Sequence, residues 1–321
     1  MKVPEYLRFD NKLCDYKLKR LSDRIEFKPL NNYLVFSDPR GGSTWVTELV
    51  KSITSCPIIW EPLFIRKVFE FKKLGFSWRQ FIPENQAWPE AYKEFDKLFK
   101  GKILNHWTAS NSNITELKSS DQLLIKFCRG NQLLPWLTNH FHFKFKPIYV
   151  IRHPFAVVAS QLKQGGWDYK FERFHIPQGP NNEIYQEHKE FLSSIKSKEE
   201  ALTATWCLCN SVPLRHKMNN NNWPTLNYEE IVLNPQKSMD RILTEWGLKA
   251  DTKMLNFEKP SRTALAGSSA LGKDKIESWL KVFDARQIKK MVMVLDYFSI
   301  EEYTSNPYPE IVYNYKEQNK F

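Results

Sequence analysis

The residue pattern predicts an α/β protein built on a central parallel sheet flanked by helices, with an anion-binding loop at the end of its first strand. Three observations lead there. Short β-branched and aromatic runs alternate with longer helical stretches along the 321-residue chain. The segment YLVFSDPRGGSTW, residues 33–45, reads as strand, glycine turn and helix. A later run, PIYVI, passes directly into Arg152, so a second cation leaves the sheet at a strand end.

The first strand is expected over 33–36. It breaks at Pro39, passes Gly41 and Gly42, and restarts as a helix over 43–52 with Trp45, Val46, Leu49 and Val50 on its apolar side. Such a turn points unpaired backbone N–H groups at an anion, and the two glycines are expected to let the backbone approach the ligand closely. Arg40, Ser43 and Thr44 add side-chain donors. The G-x-x-x-x-G-K-[ST] pattern of ATP loops is absent, and no lysine follows the glycines.

A short apolar run over 57–60 gives the second strand. Residues 62–118 read as helical in pieces, with loops near Pro83 and Pro89. A third strand (122–127) precedes a helix over 132–139, and a fourth (147–151) runs into Arg152-His153-Pro154 and another helix, whose first turn suits Pro154. Long helices are expected over 183–196 and 198–217. A polar turn at 219–222 then leads to a fifth strand over 225–228, and helices over 236–246 and 284–297 follow. Strands alternating with helices imply a parallel sheet, whose ligands bind at the carboxyl ends of its strands.

Hydrophobic residues make up 42% and charged residues 26% of the chain, ordinary values for a globular protein. The net charge of +11 favours a polyanionic ligand such as a nucleotide or a sulfated or phosphorylated sugar. No block of five basic residues suggests a nucleic-acid tail. Five cysteines without a C-x-x-C pair argue against a zinc site or disulfide framework, and no apolar stretch is long enough for a membrane span or signal peptide. The expectation is a reduced, cytoplasmic protein with neither nucleic-acid nor membrane partners, forming one domain over 1–321. The sequon at Asn113 matters only in a secreted chain.

Ser160 stands eight positions after Arg152, two turns into its helix, so Arg40, Arg152 and Ser160 can converge on a ligand carrying two phosphate groups. The alternative pairs Arg152 with a carboxylate and leaves Ser160 on a helix surface.

Together these features resemble the sulfotransferases that use 3′-phosphoadenosine-5′-phosphosulfate (PAPS). The resemblance rests on Pro39-Arg40-Gly41-Gly42-Ser43-Thr44-Trp45, on VIRHPFAVVAS with Arg152 and Ser160, and on Asn227-Tyr228-Glu229-Glu230, and it spans about 33–297. It implies a P-loop-containing sulfotransferase fold and a 5′-phosphosulfate on the 39–45 loop. It places the 3′-phosphate, within 122–164, on Arg152 and Ser160, and the adenine against Trp45 and Tyr228. The product would be adenosine 3′,5′-bisphosphate (PAP), with no metal required. A closing loop over 261–279 offers Arg262, Ser268, Ser269 and Lys273 to the cofactor, although the usual R-K-G-x-x-G-D-W form is missing.

The resemblance leaves the base open. Phenol- and steroid-sulfating members carry Ile-Lys-x-His; here Ile125-Lys126-Phe127-Cys128 keeps the lysine and lacks the histidine. A neutral thiol is a poor base. Trp60-Glu61-Pro62-Leu63 resembles the segment that supplies a glutamate base in carbohydrate and bacterial members, so Glu61 is the expected base and His106 the reserve; a helix-capping role is the alternative for Glu61. Lys126, Arg40 and the loop amides would stabilise charge on the departing phosphate. His140, His142 and His153 read as structural.

Aromatic residues in 62–120 and 165–200 (Phe64, Trp78, Phe81, Trp88, Trp107, Trp167 and Tyr169) suggest the walls of an acceptor lid, with Gly165-Gly166 as its hinge. The expected acceptor is a hydroxyl, or an amine, of a saccharide or small polar molecule; a hydroxylated or nitrogen-rich natural product is the second choice. The competing classes are an ATP-dependent nucleotide kinase and a non-catalytic nucleotide-binding protein.

Overall fold

Five short strands, β1 (Tyr33–Ser37), β2 (Ile58–Trp60), β3 (Leu124–Phe127), β4 (Ile148–Ile151) and β5 (Thr225–Asn227), lie in the order β2-β3-β1-β4-β5, and every pairing is parallel. The computed structural model describes residues 5–163, 167, 169–264 and 272–313. All strand residues are buried, because helices cover both faces of the sheet. Successive side chains feed two separate cores. Tyr33 and Val35 of β1 pack with Val46 and Val50 of the Ser43–Thr54 helix and with Met239 and Ile242 of the Pro235–Trp246 helix. Leu34 and Phe36 join the opposite core with Phe155, Val158, Trp206 and Leu208, from the Pro154–Leu162 and Lys198–Arg215 helices.

The strand order places a switch at the centre of the sheet. The chain after β1 turns toward β2 and β3, whereas β4 and β5 lie on the other side. A crevice therefore opens outside the carboxyl ends of β1 and β4, where the 39–45 loop and Arg152 emerge.

Several boundaries differ from expectation. The helix expected over 183–196 is two pieces, Glu183–Gln186 and Lys189–Ser194; His188, between them, packs edge-on against Tyr297 and Phe298, which turns the chain. Pro89 opens a helix, Pro89–Phe99, at the position where its missing N–H costs nothing. Tyr228 is the first residue of a helix, Tyr228–Leu233, rather than the last of a strand. A helix over Glu5–Ser22 was not expected, and Leu18 is its one core residue among the described side chains. No helix among the described residues is long and apolar enough to cross a membrane.

Candidate functional site

The 39–45 loop is a tight turn held from several sides. The Gly41 N–H donates to the Asp38 carbonyl at 2.8 Å. A Cβ on Gly41 would stand 2.3 Å from Ser37 Oγ, and one on Gly42, whose φ is +96°, would stand 2.3 Å from the Tyr228 ring. The glycines thus have a reason in the protein's own atoms, whatever ligand approaches the loop. With φ +74°, Arg40 is itself in the left-handed region.

Arg40 and Arg152 lie on the same side of the sheet. Arg40 Nε donates to Ser160 Oγ (3.0 Å) and its Nη1 to the Thr263 carbonyl (3.1 Å). Arg152 Nη1 donates to the Arg40 carbonyl (3.0 Å), its guanidinium stacks 4.6 Å from the Tyr228 ring centre, and its buried Nε has no partner. Lys275 joins them, with its pKa pushed down by burial and by Arg152 and Arg40. Arg40 is lowered likewise, by burial and then by Arg152. Among the described residues no carboxylate lies within ion-pair distance of any of these three cations. Asp274 lines the same cavity and Arg152 acts on the buried Glu229 carboxyl from beyond pairing distance, but like charges crowded without a paired counterion mark an anion site.

Two adjoining cavities, of about 210 and 280 Å³, share Arg40, Arg152, Ala264 and Lys275. One extends to Ser160 and Lys163. The other runs past Gly42, Ser43, Thr44 and Trp45 to Lys126, Arg129 and Glu61. At that far end Lys126 Nζ lies 2.8 Å from Glu61 Oε1 and 3.6 Å from the Trp60 ring centre, and Arg129 Nη1 lies 2.7 Å from Glu61 Oε2. Burial would raise the Glu61 carboxyl, but Lys126 and then Arg129 hold it down at about 2. Cys128 accompanies them: burial and then Glu61 raise its thiol, which sits 3.2 Å from Ser43 Oγ. Arg129 Cζ lies against the contacting Phe64 and Trp78 rings, 4.7 and 4.9 Å from their centres, and the Trp107 indole donates to the Glu61 carbonyl.

The structure separates the remaining candidates. His106 faces Asp15, 3.0 Å from its Nδ1, in a different pocket beside Leu13 and Cys14, so the reserve base is not in the crevice. Arg262 stacks 4.4 Å from the Trp60 ring, at the Glu61 end, while the neighbouring Thr263 carbonyl meets Arg40. Lys273 is exposed and lines neither cavity. Lys275, on the same short helix, instead lines both cavities. Ser268, Ser269, Gly165 and Gly166 lie outside the described residues.

Trp45 meets the Tyr228 ring edge-on at 6.1 Å and keeps a buried, unpartnered Nε1. Tyr228 is wedged between Gly42 and Arg152, so its ring supports the cation as well as lining the crevice. His153 is structural: its Nε2 lies 2.9 Å from the Asn306 carbonyl, its ring stacks on Trp279, and burial holds its pKa at about 3. Of the expected lid aromatics Trp167 lines the crevice, whereas Phe64, Trp78, Phe81, Trp88, Trp107 and Tyr169 do not. Sequence reasoning missed Arg129 and Lys275. Arg129 stands just beyond β3, but its contact with Glu61 and the inward place of Lys275 join segments that no local pattern relates.

No protein-family model matches the sequence, and no curated protein is similar to it in sequence. Solved structures similar to this one include sulfotransferases. Mouse sulfotransferase SULT7A1 complexed with PAP is 12% identical, with a TM-score of 0.41 over 89% of this chain and 90% of that one. The sulfotransferase domain of the Synechococcus PCC 7002 olefin synthase is 16% identical (0.43; 85% and 96%). Retinol dehydratase, in complex with androsterone and inactive cofactor PAP, is also 16% identical (0.42; 90% and 85%). Likeness at that level bears no weight on function; the side chains of the crevice do.

Proposed function

We propose that this protein is a PAPS-dependent sulfotransferase that passes a sulfuryl group to a hydroxyl of a saccharide or small polar acceptor. The observation that carries the reading is the cluster of Arg40, Arg152 and Lys275, none of them in an ion pair among the described residues, which lines two adjoining cavities, one of them reaching a second cationic end at Lys126 and Arg129. A nucleotide with anionic groups at both ends fits that layout, and the buried Arg152 Nε supplies a donor that lacks only an acceptor. A nucleotide with one phosphate group would leave one of the two ends uncompensated.

Arg152, Ser160, Lys275 and Arg40 would hold the 3′-phosphate; the 41–44 amides with Ser43 and Thr44 would hold the 5′-phosphate; Trp45 and Tyr228 would flank the base. PAPS when bound supplies the sulfuryl group: its bond to the 5′-phosphate oxygen breaks as the bond to the acceptor oxygen forms. Lys126 and the loop amides stabilise charge on the departing phosphate. Glu61 takes the acceptor proton. Held by two cations it is a weak base, so its role requires Lys126 to turn from Glu61 toward the anionic donor, which raises the carboxyl toward its ordinary value. Trp167 on the crevice, with the Phe64, Trp78 and Trp107 cluster packed behind Glu61 and Arg129, would form the acceptor wall.

Calorimetric titration with PAP and with 5′-AMP tests the reading. PAP is expected to bind at least about tenfold more tightly, since two charge-assisted contacts or more are lost with the 3′-phosphate. Equal affinities would overturn it. With labelled PAPS and a panel of hydroxylated acceptors, Glu61→Gln is expected to lower turnover by about two orders of magnitude while PAP affinity holds.

A further inference from the structure

Asp38 is an unexpected neighbour for bound phosphate. It lies two residues before Arg40, is buried (4% exposed), and carries the sign that repels an anion on the loop. Arg79 answers it: Nη1 donates to Asp38 Oδ1 at 2.8 Å, with both side chains largely out of solvent. The other carboxylate oxygen accepts from the amides of Asn210 and Asn131, and Asn210 Oδ1 accepts from Tyr149 Oη at 2.6 Å. The same Asp38 closes the loop turn through its carbonyl and the Gly41 N–H.

Arg79 comes from elsewhere in the chain, between the Phe69–Lys73 and Pro89–Phe99 helices. Its φ is +58°, a conformation that a non-glycine residue holds only when its surroundings impose it. Its Nη1 also reaches Cys209 Sγ, and its carbonyl accepts from Tyr185 Oη at 3.2 Å. The buried cation therefore joins the phosphate loop to two segments remote in sequence, around residues 76–82 and around Tyr185.

We propose that Arg79 is a positioning residue for the phosphate loop, cancelling the Asp38 charge and fixing the turn from which Arg40 and the 41–44 amides project. Only the identity of the ligand rests on the function proposed above; the positioning does not.

The test has two readouts on the full chain: hydrogen exchange of the 40–45 amides without ligand, and calorimetric PAP affinity. Arg79→Met is expected to speed loop exchange by about tenfold or more, leaving the Ala285–Tyr297 helix unchanged, and to weaken PAP by about tenfold. Arg79→Lys, which keeps the charge, is expected to recover most of both. Should Arg79→Met fail to fold, Arg79→Gln, which removes the charge but keeps a donor, is read in the same way. Loop exchange at the wild-type rate, or exchange rising equally along the whole chain, overturns the proposal. A wild type that does not bind PAP overturns the sulfotransferase reading, while loop exchange still decides the role of Arg79.

Discussion

At Glu61 two cations compete with the proton. The folded carboxyl titrates at about 2, against an ordinary 4.5, so the unfolded chain binds this proton more readily than the folded one. The resulting stability is fully present above about pH 4.5 and disappears as pH falls through about 2; it amounts to at most about 3 kcal/mol. Urea unfolding of wild type and Glu61→Gln is expected to show a gap near pH 7 that narrows toward pH 2. A gap that stays constant would mean that the Lys126 and Arg129 pairs do not set this carboxyl. Glu61 and Lys126 could be singled out in the sequence through the resemblance of Trp60-Glu61-Pro62-Leu63 and Ile125-Lys126-Phe127-Cys128 to family motifs. Arg129 could be read there only as a charge, since its contact with Glu61 joins residues far apart in the chain.

Among the elements, the Ala285–Tyr297 helix shows how local chemistry sets a boundary. Asp284 and Gln287 form a reciprocal capping box, and Met291 and Leu295, four apart, enter the core. Asp284→Ala is expected to cost about 1 kcal/mol in chemical denaturation and to leave PAP affinity unchanged. A loss of affinity would mean that this helix bears on the site. The strands were legible for a similar reason: buried on both faces, each is a short apolar run ending at a loop signal. The segment 183–196 was not, because its break at His188 depends on Tyr297 and Phe298, more than a hundred residues away. Propensity carries no record of that contact.

For the molecule as a whole, ligand binding and stability are linked. PAP at about a hundred times its Kd is expected to add about 2.7 kcal/mol to the unfolding free energy and to raise Tm; the same concentration of 5′-AMP should add clearly less. With a net charge of +11 and three crowded cations, the PAP shift should shrink as salt rises. A salt-independent shift, or equal shifts from both nucleotides, would remove the electrostatic basis of the proposed site. Local patterns were enough to read the parallel sheet, the glycine loop and the strand-end positions of Arg40 and Arg152, because alternation, turn chemistry and helix starts act over a few residues. Partner choices were settled in three dimensions: Arg40 with Ser160, Lys275 turned inward, His106 drawn to Asp15, Arg79 on Asp38. Each of these joins side chains that meet only after the sheet has been assembled, when burial makes an unpaired charge costly and leaves few geometries that satisfy it.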